Sequence, residues 1–396
     1  MYDVIVVGGG PIGSYMAYKL AGAGYRVVVL ERKRDVGEPV CCAGIIGQEC
    51  VDAFNIDGNV VLRWVNGAEL YSPSGKCIPL WREKPQAVVV DRAAFDMTMV
   101  NRAQDEGAEY ILDTLVTDIQ VGDDNVKVGA TQQEAKLELE ARAVVIATGF
   151  GSRLVEELGL GKVDNSVMGV QVEVETDGID GVEVYFGQEI APGFFAWLVP
   201  TSSTRALVGM LSRRSPELYM EKLISSLLAQ GKIISTGVKP CYRGIPLKSI
   251  PGTCGDRVMV VGAAAGQVKP TTGGGIYYGL LCADTGASCL QQALENDALS
   301  ARGLASYERK WKKKIGREMR IGYWARRLYE HLGDRQIDKL FDIIKSTGVD
   351  KALLEAEDLS FDWHSEVVLR LLAHKAIARA IEMMKIPCYN KRKVKR

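Results

Sequence analysis

Short apolar runs separated by glycine turns mark the first part of the chain. Val4 to Val7 is an apolar run, Ser14 to Gly22 has helical character, and Arg26 to Leu30 is a second apolar run that ends at Glu31. Apolar runs of this length next to glycine are typical of strands buried on both faces of a parallel sheet. The order predicts a strand–helix–strand unit over Asp3 to Glu31.

The middle of the chain changes to a period of two. Residues Val60 to Val90 and Tyr110 to Ala141 alternate between apolar and polar positions, with turn signals between the runs, and predict antiparallel strands. Asp91 to Gly107 has helical spacing, and Ala143 to Gly151 is another apolar strand that ends in glycine.

Later segments repeat both patterns. Val167 to Met210 predicts a second, antiparallel sheet, Val258 to Cys282 predicts a strand, a glycine-rich turn and a helix, and the chain from Ala301 onward is helical. We therefore predict an α/β fold (α+β overall) that has a discontinuous Rossmann-type βαβ domain, an antiparallel sheet domain and C-terminal helices. The predicted ranges are 1–60, 85–165 and 251–300 for the first domain, 61–84 and 166–250 for the second, and 301–396 for the helices.

The glycines of the first turn carry the strongest chemical signal. Gly8 permits a tight turn from strand to helix, Gly10 lets the backbone approach a pyrophosphate, and Gly13 lets helix and strand pack closely. The helix N-terminus offers free N–H groups to that pyrophosphate. Glu31, at the tip of the second strand, suits a ribose diol. The sequence thus predicts a dinucleotide site.

Composition narrows the class further. The chain has 396 residues, and 49 basic residues balance 49 acidic ones, so no overall field would attract a polyanion such as nucleic acid. No window reaches the roughly 18 apolar residues of a membrane span. Nine cysteines, without zinc-type pairing, favour a cytoplasmic protein with no metal centre. All three histidines, His331, His364 and His374, fall in the last quarter.

Three further sequence motifs are weaker signals of a nucleotide or flavin site when each is taken alone. Asp91 to Asp96 (DRAAFD) opens a helix, for which an N-cap and an Asp/Arg ion pair are the simpler interpretation. Ala147-Thr148-Gly149 ends a strand. In Arg257 to Ile276 (RVMVVGAAAGQVKPTTGGGI), three glycines open a helix, and such a bare helix N-terminus suits the negative edge of a flavin ring, although a packed turn is the alternative.

Taken in order, these motifs resemble the glutathione-reductase-type flavoproteins of the aromatic-hydroxylase branch. Within that branch the chain resembles the archaeal geranylgeranyl reductases, including the digeranylgeranylglycerophospholipid reductases. The resemblance rests on the first glycines with Glu31, on Glu38 to Gly44 (EPVCCAG), on Asp91 to Asp96, and on Lys269 to Ile276 (KPTTGGGI).

This resemblance implies an FAD site. Glu31 would bind the adenosine ribose, Arg92 the ribityl-phosphate region, the backbone of Val116 the adenine, and Gly275 and Ile276 the isoalloxazine. The implied cofactor-binding residues are Gly8, Gly10, Gly13, Glu31, Cys42, Ala43, Arg92, Val116, Gly149, Ala263, Gly275 and Ile276. Ala263 departs from the family, which usually has an Asp here that holds the ribityl chain.

The resemblance also implies a substrate site. Cys42 matches the family's cysteine that faces the flavin, and we take it as the candidate catalytic residue, with Cys41 as an additional neighbour. Phe195 to Pro200 resembles the family's Tyr-x-Trp-x-Phe-Pro motif, so Phe195, Trp197 and Pro200 are the candidate substrate-binding residues. Alternating aromatic residues line one face of a strand, which suits an isoprenoid tunnel, although an ordinary core strand has the same pattern.

The implied activity is FAD-dependent saturation of geranylgeranyl C=C bonds in archaeal ether phospholipids. The alternatives are a flavin monooxygenase or halogenase, and a non-catalytic flavin-bearing lipid-binding protein. An electron donor is required, either NAD(P)H or a ferredoxin-like protein. The basic segment Tyr307 to Arg327 places Tyr307, Trp311 and Ile315 on one helical face beside lysines, which suggests a headgroup site or peripheral contact with the inner face of the membrane.

Overall fold

A computed structural model describes residues 1–237, 239–356 and 359–384. The sequence ends in a basic stretch, Lys391 to Arg396, which lies outside the described residues. The strands are β1 Tyr2–Val7, β2 Val27–Leu30, β3 Ile45–Gly47, β4 Val61–Val65, β5 Gly67–Tyr71, β6 Cys77–Trp81, β7 Ala87–Val90, β8 Glu109–Ile111, β9 Thr114–Val121, β10 Val126–Gln132, β11 Ala135–Ile146, β12 Ser166–Glu175, β13 Val182–Phe186, β14 Phe195–Pro200, β15 Arg205–Ser212, β16 Ser235–Thr236, β17 Cys241–Pro246, β18 Cys254–Gly255 and β19 Val258–Val260.

Helices lie between these strands and after the last of them. They are α1 Pro11–Ala21, α2 Gln48–Ala53, α3 Arg92–Asp105, α4 Leu154–Glu157, α5 Pro216–Ala229, α6 Ile276–Glu295, α7 Ala301–Tyr329, α8 Asp334–Thr347, α9 Val349–Glu355, α10 Ser365–Ala373 and α11 Lys375–Met383. Short 3-10 turns occupy Gly58–Val60 and Gly262–Ala265. Among the described residues, none of these helices combines the length and the apolar character needed to cross a bilayer.

Two compact units divide the chain. The first unit consists of residues 1–40, 92–166 and 245–319, and the second of residues 41–91, 167–244 and 320–396. Each unit is assembled from three separate stretches, so neither can be completed by local folding alone. The domain ranges given from the sequence stay a prediction.

The first unit is built on a sheet with a parallel centre. Its strand order is β18-β19-β11-β1-β2-β8, and β1 lies parallel to both β11 and β2. Strands β9 and β10 continue from β11 as an antiparallel meander. The buried strand residues Ile5, Val28 and Val144 are fully inaccessible to solvent, as their uninterrupted apolar sequence predicts.

The second unit is mainly antiparallel. Its larger sheet has the order β16-β12-β15-β14-β13-β5-β6, with β17 paired to β12. A smaller sheet has the order β3-β7-β4. Helical residues such as Ile337 and Phe341 of α8 and Ile377 of α11 bury an apolar face together with Ile78 of β6. The predicted fold class, a Rossmann-type unit with an antiparallel sheet unit and C-terminal helices, is confirmed.

The packing of α7 corrects one sequence-based expectation. Tyr307, Trp311 and Ile315 do share a helical face, but all three are buried, with at most 1% of their surface exposed. The Tyr307 hydroxyl donates to the Val260 carbonyl, and the Trp311 indole donates to Thr253. This face packs against the first unit's own core, so it is not available to a membrane or a headgroup. The neighbouring lysines remain exposed.

The turn that joins β1 to α1 is fixed by a close backbone contact between its two ends, Gly8 and Gly13. A Cβ at Gly13 would lie 2.0 Å from the Gly8 carbonyl oxygen, while Gly8 itself has a φ of +109° that favours glycine. At Gly10, by contrast, φ is −67° and a Cβ would meet nothing within 4 Å. Gly13 and Gly10 therefore have different roles. Gly13 permits the helix to pack against the Gly8 backbone, and Gly10 leaves the space beside the turn open.

This contrast gives a stability prediction. Gly13→Ala should lower the free energy of unfolding by about 3 kcal/mol, the upper end of overpacking costs, because the obstructing atom is backbone and cannot rotate away. Gly10→Ala should change it by less than about 1 kcal/mol, since its conformation suits alanine. Urea unfolding of the two variants measures the difference; equal midpoints would contradict the packing role of Gly13.

Candidate cofactor and substrate sites

The first unit brings two glycine-rich helix starts together around one side chain. A Cβ at Gly279, in the first turn of α6, would lie 2.6 Å from the Ile12 side chain, and one at Gly262 would lie 3.1 Å from it. Ile12 follows Pro11 in the first turn of α1. The N-termini of α1 and α6, more than 260 residues apart in the sequence, therefore pack closely. Neither has an acidic residue in its first turn, so both favour an anionic or electron-rich ligand.

Glu31 is held in place by backbone N–H groups of two separate turns. One carboxylate oxygen accepts from the Gly9 N–H at 2.7 Å and the other from the Lys33 N–H at 2.9 Å. The side chain is 8% exposed. Each oxygen retains a further lone pair, so the carboxylate remains able to accept a hydroxyl.

The predicted adenine contact lies next to this carboxylate. The N–H of Thr114, at the start of β9, donates to the Glu31 carbonyl at 2.8 Å. Val116 is two residues further along β9 and is 8% exposed. We call the region formed by the N-termini of α1 and α6 and by Glu31 the cofactor cradle. Val116 and Glu31 lie at one end of this cradle, although no sequence spacing links them.

Other features of the cradle fit a dinucleotide. The space beside Gly10 is open, Gly149 has a φ of +73°, and the Thr148 hydroxyl is buried without a hydrogen-bond partner among the described residues. A buried unpaired hydroxyl costs stability unless a ligand or water satisfies it. These observations fit FAD as the group held here.

The loop that carries Ala263 is held by hydrogen bonds to buried side chains. The Gly262 N–H donates to the Gln267 side chain at 2.8 Å, and Gln267 donates to the Tyr307 hydroxyl at 2.8 Å. Gln267 and Tyr307 are fully buried, and burial raises the pKa of Tyr307 well above its ordinary value, so its hydroxyl stays protonated. Sequence reasoning missed this network. Gln267 stands six residues before the glycine run that begins at Gly273, a spacing that carries no signal of its own.

Arg92 is occupied within its own helix. Its guanidinium makes a two-point contact with the Asp96 carboxylate, at 2.8 and 3.1 Å from one nitrogen, and both side chains are almost fully buried. The ion pair expected from the DRAAFD pattern is therefore present. The further role of Arg92 at the ribityl phosphate stays a prediction.

The second unit contains the remaining predicted residues. Phe195 and Trp197 lie on one face of β14, with their ring centroids 5.9 Å apart. Phe186 of the paired strand β13 extends this aromatic face and contacts Tyr329 and Phe341 of α7 and α8 edge-on. Because the register of β14 is regular, Pro200 points to the opposite face. The structure therefore groups Phe195 with Trp197 but not with Pro200.

Gly209 lets the indole of Trp197 lie flat on the sheet. A Cβ at Gly209 would lie 2.3 Å from the Trp197 ring. Gly209 pairs with Trp197 on one side and with Gln171 on the other, so Gln171 shares this face. The Gln171 side chain then donates to the Cys42 carbonyl at 3.3 Å. The cysteine loop and the aromatic face are thus tied together within the second unit.

Gln171 is a residue that sequence reasoning missed. It alternates with Val170 and Val172, and the pattern places it on the polar side of β12 with Glu173. In the structure it is 5% exposed. Its side-chain oxygen and the Trp197 indole nitrogen are buried, and neither has a partner among the described residues. Ala43 packs on the same apolar cluster as Trp197.

A separate polar cavity of about 410 Å³ lies elsewhere in the second unit. It surrounds the ion pair between Lys232 and Glu183, whose closest atoms are 2.6 Å apart, and its lining includes Glu69, Asp177 and Asp180. Such a lining is unsuited to an isoprenoid chain. Among the described residues, no group of histidine, cysteine and carboxylate side chains is arranged to hold a metal ion.

A parallel-sheet dinucleotide cradle combined with an antiparallel sheet unit defines the class of flavin-dependent oxidoreductases. A family model described as "Lycopene cyclase protein" matches residues 3–343. The "Digeranylgeranylglycerophospholipid reductase" of Methanocaldococcus jannaschii is 30% identical over 87% of this chain and 90% of its own length. That of Methanosarcina acetivorans is 29% identical over 87% of this chain and 89% of its own length. The chain belongs to the family that contains these reductases, as the resemblance predicted.

Solved structures agree on the fold. A Thermoplasma acidophilum protein described as "geranylgeranyl bacteriochlorophyll reductase-like" has a TM-score of 0.84 at 24% identity and covers 97% of this chain and 99% of its own. The myxobacterial chondrochloren halogenase has a TM-score of 0.66 at 18% identity, with 82% of each chain covered. At these identities the likeness concerns the fold, and the halogenase is the more distant of the two.

The open space at Gly10 gives a binding prediction. Gly10→Ala should weaken FAD binding by at least about tenfold, because the new methyl group would project toward the expected pyrophosphate. Apoprotein titrated with FAD, followed by flavin fluorescence, measures the Kd. Urea unfolding of the apoprotein serves as the control, and an unchanged Kd would remove the pyrophosphate from this position.

Proposed function

We propose that this chain is an FAD-dependent reductase that saturates the isolated C=C bonds of geranylgeranyl chains on archaeal-type ether phospholipids. The curated relatives supply the substrate class, since they are named digeranylgeranylglycerophospholipid reductases. The structural observation that carries the proposal is the aromatic face of Phe186, Phe195 and Trp197, tied through Gln171 to the Cys42 loop.

The cofactor cradle of the first unit would hold FAD. Gly10 and the α1 N-terminus would receive the pyrophosphate, Glu31 the ribose, and Gly275 and Ile276 the isoalloxazine at the start of α6. Reduced FAD supplies a hydride from its N5 position. The Gln267–Tyr307 network would keep the Ala263 loop in place where the family's usual Asp is missing.

An unactivated alkene sets the requirements for the protein. It has no carbonyl that could stabilise developing charge, so the site has to hold the double bond in position and exclude water. Phe195 and Trp197 provide a flat apolar surface for an isoprenoid chain. A proton must also reach the second alkene carbon, and we assign its delivery to the Cys42 thiol as a hypothesis.

The reaction requires an electron donor, and its lipid substrate requires access to a membrane. Each saturated bond consumes two electrons, so a donor, either a ferredoxin-like protein or NAD(P)H, has to reduce the flavin again. The substrate is a membrane lipid, and the exposed basic residues Lys310, Lys313 and Lys314 of α7 suit peripheral contact with an anionic surface through charge alone.

The flavin monooxygenases and halogenases remain the second candidate, since solved halogenases share the fold. Halogenases share a Trp-x-Trp-x-Ile-Pro-like stretch, and in this chain Phe195 stands in place of its first tryptophan. A halogenase or monooxygenase would consume oxygen when given an aromatic substrate. A non-catalytic lipid-binding protein would bind the lipid stoichiometrically and leave it unsaturated.

The reaction class has a direct test. Photoreduced protein incubated without oxygen with digeranylgeranylglycerophospholipid should give products heavier by the mass of two hydrogen atoms for each reduced bond. Mass spectrometry of the extracted lipid detects them, and protein with oxidised flavin is the control. Unchanged lipid, together with stoichiometric lipid binding, would favour the carrier instead.

The role of Cys42 has its own test. Cys42→Ser should reduce the rate of lipid saturation by at least about tenfold with FAD fully bound, because a serine hydroxyl is a far weaker acid than a thiol. Cys77→Ser, on β6 of the same unit, is the matched control and should keep the full rate. If the Cys42 variant matched the control under single-turnover conditions, the proton would come from another source.

A further inference from the structure

Two buried polar atoms of the second unit lie on one face of its larger sheet, and neither has a hydrogen-bond partner among the described residues. They are the side-chain oxygen of Gln171 and the indole nitrogen of Trp197. Gln171 is 5% exposed, and Trp197 packs on the apolar cluster that contains Val65 and Val199. In the unfolded chain water would satisfy both atoms, so a folded protein that leaves them unpaired loses stability unless another group completes their hydrogen bonds.

The strand register brings the two side chains toward each other. Gly209 of β15 is paired with Trp197 on one side and with Gln171 on the other. Residues paired in this way project to the same face of a sheet, with neighbouring Cβ positions about 5 Å apart. A Cβ at Gly209 would lie only 2.7 Å from the indole nitrogen. The indole nitrogen therefore lies above the glycine, displaced from its own strand toward Gln171, and no side chain at Gly209 separates the two.

The hydrogen-bonding roles of the two atoms are fixed. The Gln171 amide nitrogen donates to the Cys42 carbonyl at 3.3 Å, and because a carbonyl can only accept, the amide cannot be turned over without losing this bond. The side-chain oxygen of Gln171 is therefore the acceptor, and the indole N–H of Trp197 is a donor. A group between them has to accept one hydrogen bond and donate another. A hydroxyl does both, whereas an alkene, an ionised carboxylate or an ammonium group does not.

We propose that Trp197 and Gln171 form a two-point binding site for one hydroxyl group, supplied either by a bound water or by an alcohol group on an isoprenoid ligand. The hydroxyl oxygen accepts from the Trp197 indole N–H, and its hydrogen is donated to the Gln171 side-chain oxygen, each bond being about 2.9 Å long. The choice of an isoprenoid rests on the proposed function, whereas the hydroxyl follows from the donor and the acceptor themselves.

The site gives the aromatic face one polar position. An isoprenoid chain that lies over Phe195 and Trp197 with a hydrocarbon segment at this position leaves the donor and the acceptor unpaired, whereas an alcohol group there satisfies both. A site built to bond a hydroxyl disfavours the analogue that lacks it. A filled site also holds the Gln171 amide at both of its ends, so the Cys42 loop is anchored more firmly when the hydroxyl is in place.

Nuclear magnetic resonance detects the occupant of the site directly. Isotope-labelled tryptophan in the full-length protein with oxidised FAD gives one indole N–H signal for each tryptophan, and the signal lost in Trp197→Phe belongs to Trp197. Without ligand this proton should show a nuclear Overhauser contact to a bound water, and added geranylgeraniol should replace that contact with one to the alcohol. Gln171→Met removes the acceptor at similar volume and should shift the same signal, which also assigns it if Trp197→Phe does not fold.

Equilibrium binding separates the two sources of the hydroxyl. Geranylgeraniol should bind at least about tenfold more tightly than the hydrocarbon of the same skeleton that lacks the hydroxyl group. Trp197→Phe keeps an apolar surface and should lose this preference, while Trp81→Phe, on β6 of the same unit, should retain it. Equal affinities, with the water contact persisting in both complexes, would show that a bound water supplies the hydroxyl.

The proposal is wrong if the Trp197 indole proton contacts neither water nor alcohol. A shift of its signal in Gln171→Met would then indicate a direct bond between the two side chains, and an unchanged signal would indicate an empty gap. None of these measurements needs turnover, so they are independent of the lipid saturation assay. A filled site in a protein that leaves its lipid unsaturated would overturn the reductase activity alone, and saturation by a protein whose site stays empty would overturn only the hydroxyl site.

Discussion

The close backbone contact between α1 and Gly8, the residue that follows β1, controls the geometry of the cofactor cradle. Gly13 lies against the Gly8 carbonyl with no room for a side chain, and the next residue back, Ile12, packs onto Gly262 and Gly279. Because glycine stands at every contact, the helix start can approach both the strand and α6 more closely than side chains would allow. The placement of two helix N-termini at one site depends on this packing.

In the second unit the corresponding constraint is the position of the Cys42 loop against the aromatic face that contains Trp197. The indole of Trp197 can lie flat because Gly209 has no side chain, and the adjacent Gln171 then reaches the Cys42 carbonyl. A buried glutamine is costly unless it is hydrogen-bonded, and one of its polar atoms has no partner among the described residues. Such an arrangement trades stability for a fixed loop, which is common where a ligand completes the hydrogen bonding.

Sequence reasoning was accurate where the signal was local. The elements at Val4 to Val7 and at Asp91 to Gly107 follow from periodicity, and the structure has β1 and α3 there. It was wrong about the face of Tyr307, Trp311 and Ile315, because an amphipathic helix pattern does not say whether protein or membrane covers the apolar side. The family resemblance was confirmed, while the roles of the individual site residues stay predictions.

The sequence by itself determined the dinucleotide fingerprint, because all its parts fall within the 29 residues from Asp3 to Glu31, where Gly8 and Gly13 meet local steric demands and Gly10 leaves space open. Only the tertiary structure decided which distant residues support the sites. The burial of Gln171, its hydrogen bond to the Cys42 carbonyl and the Gln267–Tyr307 support of the Ala263 loop arise from strand pairing and helix packing between separate stretches. Such contacts have no period or spacing that a single sequence could reveal.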